Sequence, residues 1–193
     1  MDQPLFNQEL EDAELVRLSL DDPDKFSLII SRYQDKLSRY IRRFGVATAE
    51  DAEDVLQDIF LKVYLNLNDF KPDLKFSSWI YRIAHNQVIS NFRKRQARPE
   101  AYSMPIDSPG FQLLADDIAL DNQSDINLRQ VLISKALQKI EAKYREILVL
   151  KFFEDKSYQE ISDILKKPSG TVASLLNRAK KSLKNNLPGK DKI

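Results

Sequence analysis

The chain has 193 residues and a mass of 22.4 kDa, room for one ordinary domain or two small ones. Apolar residues make up 42% and charged residues 31%, which excludes a disordered polypeptide and suits small helical domains with a large solvated surface. There is no cysteine, one histidine (His85) and four glycines, so disulfides, thiolate nucleophiles, His- or Cys-built metal centres and Gly-rich phosphate cradles are all excluded.

No catalytic residue, metal ligand or cofactor is therefore expected. The start, Met1-Asp2-Gln3-Pro4, has neither a basic segment nor an apolar stretch after it, so a cytoplasmic protein without membrane insertion is expected.

A net charge of +1 conceals segregation. Residues 1–24 carry eight acids and one base, residues 75–98 six bases and no acid, residues 99–128 six acids and no base, and residues 166–192 eight bases and one acid. Either basic block alone fits an ordinary solvated helix face. Two of them, with aromatics interleaved, favour phosphate binding.

Helical periodicity begins at Glu11 and runs through Leu15, Leu18, Phe26, Ile29, Ile30, Tyr33, Leu37, Tyr40, Ile41 and Phe44, with a break at Asp21-Asp22-Pro23 and a stop at Gly45. Thr48 with Asp51 opens the next helix as a capping pattern. Its inward stripe is Ala52, Val55, Leu56, Ile59, Phe60, Val63, Tyr64 and Leu67, and its other face carries Glu53, Asp54, Gln57, Asp58 and Lys62.

After a polar connection over 66–75, a helix is expected from Ser77 to Arg95. It has Trp79, Ile80, Ile83, Ala84, Val88 and Phe92 inward, and Tyr81, Arg82, His85, Asn86, Asn91 and Arg93 to Arg95 outward. Residues 99–127 hold prolines, Gly110 and scattered acids without sustained periodicity. They read as a linker too long for a loop inside one compact domain.

Beyond it come helices near Leu128–Lys139 and Ala142–Phe153. A capping box, Ser157 with Glu160, opens a short helix that Pro168 must end, and a last helix begins at Ser169 or Gly170. Short helix, tight turn and second helix with a basic C-terminal half make a helix-turn-helix pattern.

Three segments together resemble the extracytoplasmic-function (ECF) group of sigma-70-type RNA polymerase sigma factors. AEDVLQDIFLKVY (52–64) is similar to the region 2 helix that docks on the polymerase, FSSWIYRIAHNQVISNFRKR (76–95) to the promoter-melting and minus-10 helix, and SYQEISDILKKPSGTVASLLNRAKKSL (157–183) to the region 4 helix-turn-helix.

The resemblance implies an all-α protein of two small helical domains. Region 2 would span 1–97, a flexible acidic linker 98–127, and region 4 128–193. It implies a non-enzymatic transcription initiation factor whose partners are the bacterial RNA polymerase core (beta-prime clamp and beta flap), promoter DNA and an anti-sigma factor.

Within that resemblance Glu53, Asp54, Gln57 and Asp58 would meet arginines of the clamp, where charge-assisted bonds fix orientation. The alternative is a plain acidic helix face. Minus-10 recognition and melting would fall to Phe70, Tyr81, Arg82, Asn86, Asn91, Arg93, Lys94 and Arg95. Cations would neutralise phosphates, amides including Gln87 would read base edges, and the aromatics would stack a flipped base. Phe70 and Tyr81 are expected to be the exposed aromatics and Trp79 to pack inward.

Minus-35 binding would use Lys167, Ser169, Gly170, Thr171, Ser174, Asn177, Arg178 and Lys181, with Lys180 and Lys184 along the backbone. The chain departs from the family at Lys166, where a turn glycine is usual, at Lys167, and at Ala173-Ser174-Leu175, where K-S-R is frequent. The linker acids Glu100, Asp107, Asp116, Asp117, Asp121 and Asp125 would occupy a basic channel of the polymerase, or serve only as a solvated tether.

Two rivals remain: an autonomous helix-turn-helix regulator that binds duplex DNA without polymerase, and a magnesium-dependent nucleic-acid enzyme using Asp51, Glu53, Asp54 and Asp58. The second lacks a converging partner cluster, since those acids share one helix.

Overall fold

The computed structural model describes residues 10–44, 48–95, 109–118 and 126–187, and every regular element among them is helical. Two compact units are formed: residues 1–42 with 46–101, and residues 102–193 with 43–45. Gly45, the expected helix stop, lies outside the described residues.

In the first unit, α1 (Asp12–Asp21) is followed by a 3-10 turn over Pro23–Lys25 and by α2 (Phe26–Phe44). The break has a local cause. Pro23 supplies no N–H, and the Asp22 carboxylate accepts from Asp24 N at 3.0 Å, so the chain turns where the two helical stripes meet. Asp12 anchors α1 to α2: Arg32 Nη1 donates to its Oδ1 at 3.0 Å and the Tyr33 hydroxyl to its Oδ2 at 2.5 Å. Burial, aided by that carboxylate, holds the Tyr33 phenol well above its ordinary pKa, so it remains a donor.

α3 (Ala49–Leu65) begins as expected, with Thr48 accepting from Asp51 N, and buries Ala52, Val55, Ile59, Phe60 and Val63. Tyr64, expected in that stripe, is exposed and lies edge-on to Phe26 at 5.1 Å. A 3-10 turn over Leu67–Asp69 seats Leu67 in the core before α4 (Phe76–Arg95), which packs along α3.

The second unit corrects the linker expectation. Residues 109–117 form a helix, α5, with Phe111, Leu114, Ala115 and Ile118 buried. That i, i+3, i+4, i+7 spacing is a helical stripe, two turns long and crowded by Pro109, Gly110 and acids, and so too short to register as periodicity. The Phe111 ring stands edge-on to Phe153 at 4.9 Å. Asp116 and Asp117 belong to this helix, whereas Glu100, Asp107, Asp121 and Asp125 lie outside the described residues.

α6 (Ile126–Lys139) and α7 (Ala142–Leu148) are joined by a tight turn that one buried cation holds. Arg145 donates Nε to Leu137 O at 2.8 Å, and Nη2 to Gln138 O at 3.0 Å and Ile140 O at 3.4 Å, covering carbonyls that a helix end leaves without partners. Expected to continue as one helix to Phe153, α7 instead loosens into a π-helical turn over Val149–Phe153. α8 (Tyr158–Leu165) and α9 (Ser169–Asn186) complete the unit, α9 lying against α6, α7 and α8 through Val172, Leu176, Ala179 and Leu183. Fully burying each of the larger of these aliphatic side chains is worth about 1.5–3 kcal/mol.

Candidate nucleic-acid interface

Glu53, Asp54, Gln57 and Asp58 are all exposed on α3, at spacings that put them on the face away from its apolar stripe. Leu61 and Leu65 extend the exposed side of α3, 57% and 66% accessible. These two leucines were absent from the sequence reading, although their signal was present: large apolar residues one turn apart, outside the core stripe.

The face is also tied to α4. Gln87 Nε2 donates to Asp58 Oδ2 at 2.7 Å, and Lys62 Nζ donates to Gln87 Oε1. Gln87, expected to read base edges, is engaged here by the acidic helix.

At the start of α4 the aromatic assignment reverses. Tyr81, expected to be exposed, is only 2% accessible and sits edge-on to Tyr40 at 5.4 Å. Trp79, expected in the core, is half-buried and stacks on Phe76 at 5.6 Å with the rings 28° apart. α4 buries a broader face than one stripe, with Phe76, Ser78, Ile80, Tyr81, Ala84 and Val88 all inside, so it is sandwiched and not merely leaned on the core. Period alone could not reveal that second buried side.

Phe70 is half-buried, not open, with its ring edge-on to Phe76 at 5.2 Å and to Trp79 at 5.6 Å. Tyr33 closes the cluster against Phe76 at 5.7 Å. A rigid aromatic platform results, with Phe70 and Trp79 at its partly open side. Asn86 is exposed, while Arg82, His85 and Asn91 are half-buried. Arg93, Lys94 and Arg95 end α4, and their side chains, like that of Phe92, lie outside the described residues.

The helix-turn-helix forms as its residues require. Ser157 accepts from Glu160 N at 3.2 Å, and its own N–H donates to the Glu160 carboxylate at 2.9 Å, so the capping box is complete. Lys166 ends α8 in the left-handed conformation (φ 51°, ψ 47°), a shape a glycine adopts without the Cβ clash.

Ser162 holds that turn, a role nothing in its spacing announced. Its carbonyl accepts from Lys166 N and from Lys167 N (3.1 Å), and its hydroxyl donates to Lys167 O at 2.5 Å. Pro168 then directs the chain into α9, and its carbonyl accepts from Thr171 N at 2.8 Å and Val172 N at 3.0 Å.

Lys167, Ser169, Gly170, Thr171, Ser174, Asn177, Arg178 and Lys181 are all exposed. A side chain added at Gly170 would meet nothing within 4 Å, so the helix start is open to an approaching backbone. The first turn of α9 presents N–H groups and the positive end of the helix dipole beside the cations Lys166 and Lys167. Asn177, Arg178 and Lys181 lie a turn or more further along it. Lys180 is half-buried and paired with Asp117 at 3.0 Å.

Among the described residues no cluster of three or more His, Asp or Glu side chains is placed to hold a metal ion. No described helix is long and apolar enough to cross a membrane.

Comparison with known proteins agrees with this geometry. Residues 29–98 match the Sigma-70 region 2 family and residues 130–183 the Sigma-70 region 4 family. The chain is 32% identical to the ECF RNA polymerase sigma factor SigW of Bacillus subtilis, over 86% of this chain and 90% of that protein. It is 29% identical to the RNA polymerase sigma-H factor of Pseudomonas aeruginosa, over 93% and 94%.

In fold it is similar to CnrH, solved in complex with the cytosolic domain of CnrY, at a TM-score of 0.65 and 22% identity over 90% of this chain and 95% of that one. It is similar also to RpoE of Bartonella quintana, solved with the anti-sigma factor NepR, at a TM-score of 0.60 and 22% identity over 83% and 95%. With the acidic helix, the aromatic platform and the helix-turn-helix in one chain, and with relatives alike over nearly their whole length, the chain belongs to the ECF sigma factors of the sigma-70 family.

Proposed function

We propose that this chain is the promoter-specificity subunit of a bacterial RNA polymerase, a non-catalytic initiation factor whose two units divide the labour. The observation that carries it is the joint presence of two surfaces of opposite character in one chain: an exposed acidic face on α3 and an exposed polar and cationic face on α9.

Glu53, Asp54, Gln57 and Asp58 bind the beta-prime clamp, with Leu61 and Leu65 adding apolar area beside the charge-assisted bonds. Phe70 and Trp79 trap an unstacked base as the duplex opens, while Arg82 and the cations at 93–95 hold phosphates and Asn86 and Asn91 contact bases.

The second unit meets the beta flap and reads the minus-35 element. The N–H groups of Ser169 and Gly170, with the exposed Thr171 side chain beside them, bind a phosphate, Lys167 and Lys181 anchor flanking phosphates, and Ser174, Asn177 and Arg178 enter the major groove. The structural relatives captured with CnrY and NepR support a further assignment, reversible capture by an anti-sigma factor in the cytoplasm.

The test is run-off transcription with sigma-free bacterial core polymerase on fragmented genomic DNA. Discrete start sites sharing an upstream motif are expected. No stimulation from a core that responds to a control sigma factor overturns the assignment, and specific duplex binding without polymerase would point instead to a stand-alone regulator.

A further inference from the structure

α5 is nine residues long, and an isolated helix shorter than about 12–15 residues is marginal in water. It therefore exists because it is docked. Phe111, Leu114, Ala115 and Ile118 are each no more than 2% accessible, and the helix lies against α6 and the π-helical turn at 149–153.

The fit is close at its first turn. A Cβ built on Gly110 would stand 2.7 Å from Phe152 O and 2.7 Å from the Phe153 ring, so only glycine lets α5 seat this deeply. At its other end Asp117 takes Lys180 of α9 at 3.0 Å, with the lysine side chain 26% and the aspartate 35% exposed. Its neighbour Asp116 points elsewhere, accepting from Gln112 of the same helix at 2.7 Å.

Lys180 lies on the helix assigned above to DNA, between Arg178 and Lys181, which are both exposed. A lysine bonded to a carboxylate cannot also neutralise a phosphate, and the carboxylate itself repels one.

We propose that α5 is a built-in latch: a self-docked acidic helix whose Asp117 withholds Lys180 from duplex DNA. The latch rests on the assignment of α9 to DNA. The apolar side chains keep α5 seated, whereas the Asp117–Lys180 pair at its end is reached by solvent, so the pair is the part of the latch that gives way. Loss of the Asp117 contact returns one phosphate-binding cation to α9.

The test measures binding of the full chain to random-sequence duplex DNA across a range of salt concentrations. Asp117→Asn, which frees Lys180, and Gly110→Leu, which unseats the helix, are each expected to tighten binding several-fold. Each should steepen the slope of log affinity against log salt by about 0.9, the value of one added phosphate contact. Hydrogen exchange at the amides of 111–118 should accelerate in Gly110→Leu, in which the helix is unseated.

Asp116→Asn removes the same charge without touching Lys180 and should leave the slope unaltered. Equal effects of Asp116→Asn and Asp117→Asn, or an unchanged slope in Asp117→Asn, overturn the latch. Lys181→Ala separates the two levels. A slope shallower by about 0.9 supports the assignment of α9, while an unchanged slope overturns that assignment and the latch with it.

Discussion

The aromatic end of α4 and the outer face of α9 are both assigned to nucleic acid, yet they are built in opposite ways. At α4 the candidate rings are rooted in the core: Phe70 and Trp79 lean on Phe76, which is buried, and Phe76 leans on Tyr33. On α9 the candidate side chains stand clear of the core, and the apolar residues on the opposite face do the packing. A surface of the first kind is stiff and costly to alter, whereas one of the second kind can change its specificity with little effect on folding. The departures from the family pattern, at Lys166, Lys167, Ala173 and Leu175, all fall on or beside the second.

The largest break in that comparison comes from Tyr81→Ala. Emptying this buried aromatic site should cost about 3–5 kcal/mol, read as the loss in unfolding free energy in urea. A cost like that of a surface residue would return Tyr81 to the exposed set. Arg145→Ala should follow at about 2–3 kcal/mol, because carbonyls at the end of α6 lose a charged donor. That change belongs to the second unit, and unfolding followed by hydrogen exchange should place it there.

Trp79→Ala sharpens the contrast at the interface. With one face still available to solvent, its loss should weaken promoter opening by about 1–3 kcal/mol, the worth of a stacked base, in a permanganate footprint of the melted strand. Duplex binding upstream should be unchanged. Arg178→Ala is the counterpart on α9. It should reduce promoter affinity by about 1–3 kcal/mol if it grips a guanine edge, while stability moves by no more than about 0.5 kcal/mol.

Lys166→Gly gives the smallest effect. Relieving a left-handed lysine should stabilise the second domain by about 1 kcal/mol, visible as a raised melting temperature. It should also remove one cation beside the start of α9.

Most of the helical framework was legible because its signals are local. The capping box at Ser157, the Thr48 cap, the break at Pro23 and the stripes of α2 and α3 each depend on residues within a few positions of one another. The exposed faces of α3 and α9 followed from the same periodicity. Three features did not: the burial of Tyr81, the docking of α5, and the Arg145 cap. Each depends on what an element meets and not on its own pattern. α4 is covered on more than one side, α5 is a two-turn stripe that a pocket makes real, and Arg145 reaches carbonyls five to eight residues back across a turn.

By itself the sequence determined the all-helical class, the two-module order and the family, since capping chemistry, apolar period and charge blocks all act over short stretches of chain. Tertiary structure alone decided which aromatic is displayed and which cation is already spoken for, because burial and ion pairing are set by neighbours distant in sequence. Trp79 and Tyr81 are two residues apart and similar in character, and only the packing of α2 and α3 around α4 separates their roles. Lys180 and Lys181 are adjacent and chemically the same, and only the docking of α5 places Asp117 against the first.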